Sequence, residues 1–215
     1  MGKRQAILVL VLLAMLISVA GPVQADLLMF NAQPTQGYTT PTTIQEGSYV
    51  FRSNFYGLGT FYDGNFHPGN GTMHLLSWSN WQIPTGSSGF TLTHEMGSAF
   101  EVSSFDFAGG QANNANQGVS SLIVRGYSGA NLIQTQSFYP GIHFNGQGPG
   151  QTLRTLSLAG FSGIESLVVE ATGYDNIAGY DNFVVSAVPE ASSLSLIAIN
   201  AFLVTVGNAF RRRRR

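Results

Sequence analysis

The sequence predicts an all-β fold, an antiparallel, jelly-roll-like β-sandwich, set between two apolar terminal segments. Three observations point there. Glycine fills 26 of 215 positions while charged residues make up only 10%, so strong helix formers such as Lys and Glu are scarce. Short segments with alternating apolar side chains follow one another between glycine- and asparagine-rich turns. No stretch of the body sustains an apolar period near 3.6 residues, which favours a sandwich over alternating βα units. The length suits one domain with accessory segments. The chain has no cysteine, which excludes a disulfide framework, thiolate metal sites and a cysteine nucleophile.

The first element, residues 1–25, has the three-part layout of a secretory signal helix. Lys3 and Arg4 precede an apolar run from Ala6 to Val19, and the small residues Val23 and Ala25 follow. The run is shorter than the roughly 20 residues that a bilayer requires, so cleavage after Ala25 is expected rather than permanent insertion.

The body, residues 26–187, then carries seven readable strand segments. They are GFTLTHE (Gly89 to Glu95), FEVSSFDFAG (Phe100 to Gly109), SLIVRGY (Ser121 to Tyr127), NLIQTQSFY (Asn131 to Tyr139), QTLRTLSLAGF (Gln151 to Phe161), IESLVVEATG (Ile164 to Gly173) and DNFVVSAV (Asp181 to Val188). Phe105 and Phe107 flank Asp106, and Leu156 and Leu158 flank Ser157, the period of a half-buried strand. The stretch GYSGAN supplies the glycines of a hairpin turn, so Ser121 to Tyr139 reads as a paired unit. Pro34 to Thr85 is rich in Gly, Asn and aromatic residues and reads as short strands with long surface loops.

Charge narrows the function. From Asp26 to Ala187 the chain holds three arginines, Arg52, Arg125 and Arg154, against ten carboxylates, a net −7. Such a body repels a phosphate backbone, so nucleic acid is not an expected partner.

Catalytic constellations are sparse. HEMGS at His94 to Ser98 starts like a zinc-protease motif, but Ser98 stands where the second histidine belongs, and the segment reads as a strand end. A glycosidase needs two carboxylates across a cleft. Asp106 with Asp181 is one conceivable pair; Glu165 and Glu170 have opposite parity, so on one regular strand they face opposite sides. Two quieter features suggest binding. TGYDNIAGYDNF places Asp175, Asn176, Asp181 and Asn182 in or beside a glycine-containing loop, where their oxygens suit either Ca²⁺ or ordinary turn chemistry. Tyr62, Trp78 and Trp81 lie in an aromatic-rich region that serves either as a sugar-stacking platform or as packing. No cofactor is required by either reading.

The last element, residues 188–215, begins Val188, Pro189, Glu190, Ala191. From Ala191 to Phe210 there are twenty residues without a charge, long enough for a transmembrane helix, and then Arg211, Arg212, Arg213, Arg214 and Arg215. The positive-inside rule holds those arginines on the cytoplasmic side and the acidic body outside, in agreement with the export signal.

Pro-Glu, an apolar helix and a terminal arginine cluster, in that order behind a cleavable leader, resemble the sorting signal of PEP-CTERM proteins. Ala191 stands where that family usually has a second proline. The resemblance implies a Gram-negative host, an exosortase-like membrane peptidase as partner, and an exopolysaccharide setting. It implies a chain held transiently in the inner membrane, cut near Pro189 and Glu190, and delivered to the cell surface or beyond. The body also resembles the small β domains that commonly precede this signal and end in a DNF-type segment. The expected function is therefore that of an exported, non-enzymatic surface or matrix protein that binds polysaccharide. A permanently anchored envelope protein and a secreted carbohydrate-active enzyme are the alternatives.

Overall fold

The computed structural model describes residues 24–33, 43–61, 72–78, 86–110, 118–144, 152–174 and 177–188. The regular elements among them are strands, apart from one 3-10 turn at Phe30–Ala32. The strands are β1 (Ala25–Leu28), β2 (Thr43–Glu46), β3 (Tyr49–Ser53), β4 (Gly57–Phe61), β5 (His74–Trp78), β6 (Gly86–His94), β7 (Phe100–Gly110), β8 (Gly118–Ser128), β9 (Asn131–Phe138), β10 (Arg154–Ser157), β11 (Ser166–Tyr174) and β12 (Ile177–Ala187). Ala25–Val188 form one compact unit. The expected signal and transmembrane helices fall outside the described residues, among which no helix is long and apolar enough to cross a membrane.

Two antiparallel sheets build the sandwich. The first runs β10-β7-β12-β5-β4, with β1 also paired to β12; the second runs β2-β3-β6-β11-β8-β9. The chain changes sheet at most connections, and the β8–β9 hairpin is a clear exception. There Ser128 pairs with Asn131 and Gly129 takes φ +56°, the left-handed turn conformation that glycine adopts without a Cβ clash.

Alternation decides which side chains meet. Phe51, Phe90, Leu92, Leu167 and Val169 from the second sheet face Phe105, Phe107, Tyr180, Phe183 and Val185 from the first in one buried cluster. Rings join the layers: Phe90 lies edge-on to Tyr180 at 5.0 Å, and Phe51 to Phe183 at 5.2 Å. Such contacts add about 0.5–1.5 kcal/mol each beyond area burial.

One strand changes partner halfway. On the same side, β12 pairs with β5 through Ile177–Tyr180 and with β1 from Phe183 to Ser186. The register against β7 shifts between Asp181 and Val184 and again between Val184 and Val185, and Asn182 has φ +51°. Asparagine tolerates this left-handed conformation better than most residues. The strand read from Asp181 to Val188 is thus present within the longer β12, Ile177–Ala187, with an irregularity at Asn182.

The core holds one buried hydroxyl chain. Tyr180 Oη is 3.2 Å from Ser77 Oγ, which donates to Ser88 Oγ at 3.1 Å. Burial pushes the Tyr180 hydroxyl far above its ordinary pKa, outweighing the opposing hydrogen bond to Ser77. The folded state therefore holds the Tyr180 proton where an unfolded tyrosine, near pH 10, has begun to release it. This contribution is fully present below about pH 10 and is lost as pH rises above it. Tyr180→Phe is expected to lose about 1 kcal/mol at neutral pH and to show a shallower fall in melting temperature above pH 10 than the wild type. Parallel alkaline limbs for the two proteins would contradict the assignment.

Candidate functional site

The outer face of the first sheet carries a polar cross-strand row. Asp181 on β12 stands opposite Asp106 on β7, and Thr155 on β10 stands opposite Asp106. Like charges in direct cross-strand register repel, and hydrogen-bond donors answer this pair. Asp106 accepts from Thr155 Oγ1 at 2.6 Å and from Asn182 Nδ2 at 2.8 Å; Asp181 accepts from Thr72 Oγ1 at 3.0 Å. The bulge at Asn182 is what swings its amide onto Asp106. Asp181 is only 1% exposed, so the two carboxylates converge without forming an open acid/base cleft. Glu165 and Glu170 do not converge: Glu165 accepts from Gly129 N–H at 2.8 Å, and Glu170 pairs with Arg125 at 2.9 Å.

Of the residues suggested for Ca²⁺, Asp175 and Asn176 lie outside the described residues. Asp181 and Asn182 are engaged as above. Among the described residues no group of three or more His, Asp or Glu is placed to hold a metal. His94 ends β6, where its Nδ1 accepts from Met96 N–H at 3.2 Å and its ring meets Tyr49 edge-on.

Trp78 is not available as a platform. It is 5% exposed and lies across from Gly57 on β4. A Cβ at Gly57 would sit 2.2 Å from the indole, so the glycine exists to let the ring lie on the backbone. Leu76 and Ile177 pack beside it. Tyr62 and Trp81 lie outside the described residues. Among the described residues the exposed aromatics are Tyr139, after β9, and the adjacent Phe55 and Tyr56, 41% and 39% exposed, in the turn between β3 and β4.

The outer face of the second sheet is rich in hydroxyls. Register aligns Thr43, Arg52, Thr91, Val168, Arg125 and Thr135 across its six strands. Ser87 donates to Glu170 beside the Arg125 pair, Ser121 shares a hydrogen bond with Thr172, and Thr91 donates to Asn54 at the edge of the Phe55–Tyr56 turn. Isolated partners in sequence, these groups meet only through strand pairing.

At the C-terminal boundary, Val188 N–H donates to Ala99 O at 3.1 Å. Pro189, Glu190, Ala191 and Arg211 to Arg215 lie outside the described residues.

A scan of protein-family models finds no match, and a search of curated proteins finds none. Solved structures are similar to this chain only at low identity and low TM-score. A Stig cyclase from Fischerella sp. TAU is 10% identical over 77% of this chain and 99% of that one, with a TM-score of 0.42. The K2 cleaved adhesin domain of Lys-gingipain is 13% identical over 76% and 98%, with a TM-score of 0.40. The CBM22-1–GH10 modules of xylanase 10B from Clostridium thermocellum, complexed with xylohexaose, are 10% identical over 78% of this chain but only 29% of that one, with a TM-score of 0.32. At such scores and identities none carries an argument about function.

Proposed function

We propose that this chain is an exported, non-enzymatic protein of the cell surface or extracellular matrix, sorted through its C-terminal signal by an exosortase-type peptidase, with a body that binds polysaccharide. The observation that supports the sorting half is where the compact unit stops: at Val188, one residue before Pro189. A cut near Pro189 and Glu190 leaves the unit Ala25–Val188 whole. Cleavage after Ala25 is equally harmless, since Asp26, Leu27 and Leu28 keep their pairing with Val185, Val184 and Phe183. In this reading Ala191 to Phe210 hold the exported chain in the inner membrane and Arg211 to Arg215 stop it there.

The polysaccharide contact falls to the outer face of the second sheet. Its hydroxyls and amides suit sugar hydroxyls, and the exposed rings of Phe55 and Tyr56 at its edge suit stacking. Mass spectrometry of the native protein is expected to find no Arg211 to Arg215; an intact tail on mature material would instead support permanent anchoring. Incubated with the host's own exopolysaccharide, the protein is expected to be retained without shortening the polymer. Release of oligosaccharides would overturn the non-enzymatic reading, and no retention would overturn the binding one.

A further inference from the structure

Strand β9 is an outer edge of the second sheet: β8 lies on one side and no described strand on the other. Its side chains follow a symmetric pattern. After Asn131 come Leu132 and Ile133, 55% and 49% exposed; Tyr139 and Ile142, 49% and 75% exposed, follow its far end. Polar Gln134, Thr135, Gln136 and Ser137 lie between. From Gly126 to Leu153 the chain has no Asp, Glu, Lys or Arg, although the body carries −7.

This edge is also closed to simple strand addition. Thr135 N–H donates to the Gln134 side chain at 3.0 Å and Tyr139 N–H to His143 Nδ1 at 3.0 Å. Gln134 and Gln136 in turn bind the backbone of Ala159, just past β10, and of Ser157, its last residue. The register slips at Ile133, which stands unpaired between the partners of Gly126 and Tyr127. Capped N–H groups and a bulge are the means by which edges avoid extending a ladder, so a partner here meets side chains.

We propose that this edge is where two copies of the chain pack about a two-fold axis, through side chains and not through a continued sheet. An isologous interface requires a surface complementary to itself. The apolar–polar–apolar order along β9 meets that condition: antiparallel approach sets the Leu132–Ile133 end of each copy against the Tyr139–Ile142 end of the other. Charge selects the same place. Two bodies of like net charge repel, and β9, which carries no Asp, Glu, Lys or Arg of its own and has Glu165 near it only at the hairpin turn, is where they approach at little electrostatic cost. A charged partner protein would gain nothing from such a surface.

The axis then passes near Gln136 and Ser137, midway between the apolar ends. Because the chain has no cysteine, a single introduced thiol reports on one position. The full chain carrying Ser137→Cys, oxidised in membranes with copper phenanthroline, is expected to give a disulfide-linked dimer, which requires Cα atoms within about 7 Å. Thr43→Cys, exposed on β2 at the opposite edge of the same sheet, is expected not to, and it controls for association through the tail. Adding Ile142→Glu or Leu132→Glu to the Ser137→Cys chain is expected to lower the cross-linked fraction about tenfold by like-charge repulsion. Both sites are exposed, so folding survives at least one change. Equal yields at positions 43 and 137, no dimer at 137, or capture there of a different protein would each overturn the proposal.

Discussion

Phe183→Ala is expected to lower the unfolding free energy of the body by about 3–5 kcal/mol, the range for emptying a buried aromatic site. The ring is fully buried and touches both sheets. It stacks on Phe105 at 5.1 Å and lies edge-on to Phe51, Phe90 and Phe30 at 5.2, 5.9 and 6.3 Å. Those four rings come from β7, β3, β6 and the turn after β1, so no single backbone shift can collapse the cavity. Phe183 also follows the bulge at which β12 exchanges β5 for β1, and its packing fixes the strand on the far side of that irregularity. For a domain of this size the loss corresponds to roughly 6–20 °C in melting temperature, a large share of the ~5–15 kcal/mol that a domain possesses. Val184→Ala, half-buried on the opposite face of the same strand, is expected to cost under about 1 kcal/mol. Thermal unfolding by circular dichroism separates the two, and similar shifts would refute the central role of Phe183.

Much of this architecture can be read from the residues, and the unread part has physical causes. The reading of Phe100 to Gly109 meets β7 at Phe100–Gly110, and that of Asn131 to Tyr139 meets β9 at Asn131–Phe138. Both segments are long enough for alternation to show, and glycine turns bound the hairpin. QTLRTLSLAGF is longer than β10, which keeps only Arg154–Ser157; beyond it Leu158 and Phe161 stay buried as loop anchors. Strands β2 to β5 are four or five residues each, too short for a period. In β4, GLGTF, glycine occupies the positions where a pattern would have appeared, because Gly57 must lie under Trp78.

The candidate site was less legible because its contacts are not local. Asp106 and Asp181 can be paired on paper, but only the fold sets them in register and buries Asp181. An Asp-Asn pair favours turns, and nothing in DNFVVSAV marks which residue leaves the ladder; here Asn182 takes the left-handed geometry inside a strand. The indole of Trp78 offers a stacking face in sequence and spends it on backbone in the structure. Arg125 and Glu170 give no signal at all, since they meet as diagonal neighbours on β8 and β11.

Gly89→Ala is expected to destabilise the body by more than about 3 kcal/mol, because two penalties coincide. Gly89 has φ +147°, where an L side chain is strained by about 1–3 kcal/mol. Its Cβ would also lie 2.0 Å from Val169 O and 2.9 Å from Val169 C. Those atoms belong to β11, whose Glu170 is the register partner of Gly89, so relief requires parting two central strands of the second sheet. The neighbours transmit the damage: Gly89 O accepts from Asn54 N–H at 3.2 Å, and Phe90 follows with its ring against Tyr180 and Phe183. Gly129→Ala isolates the first penalty, since φ is +56° there and no atom lies within 4 Å of the added carbon; about 1–2 kcal/mol is expected. If the two variants melt together, close approach of β6 to β11 is not what holds Gly89 in place. If Gly89→Ala falls well below Gly129→Ala, the pairing of β6 with β11, beside Arg125 and Glu170, depends on a position that admits no side chain.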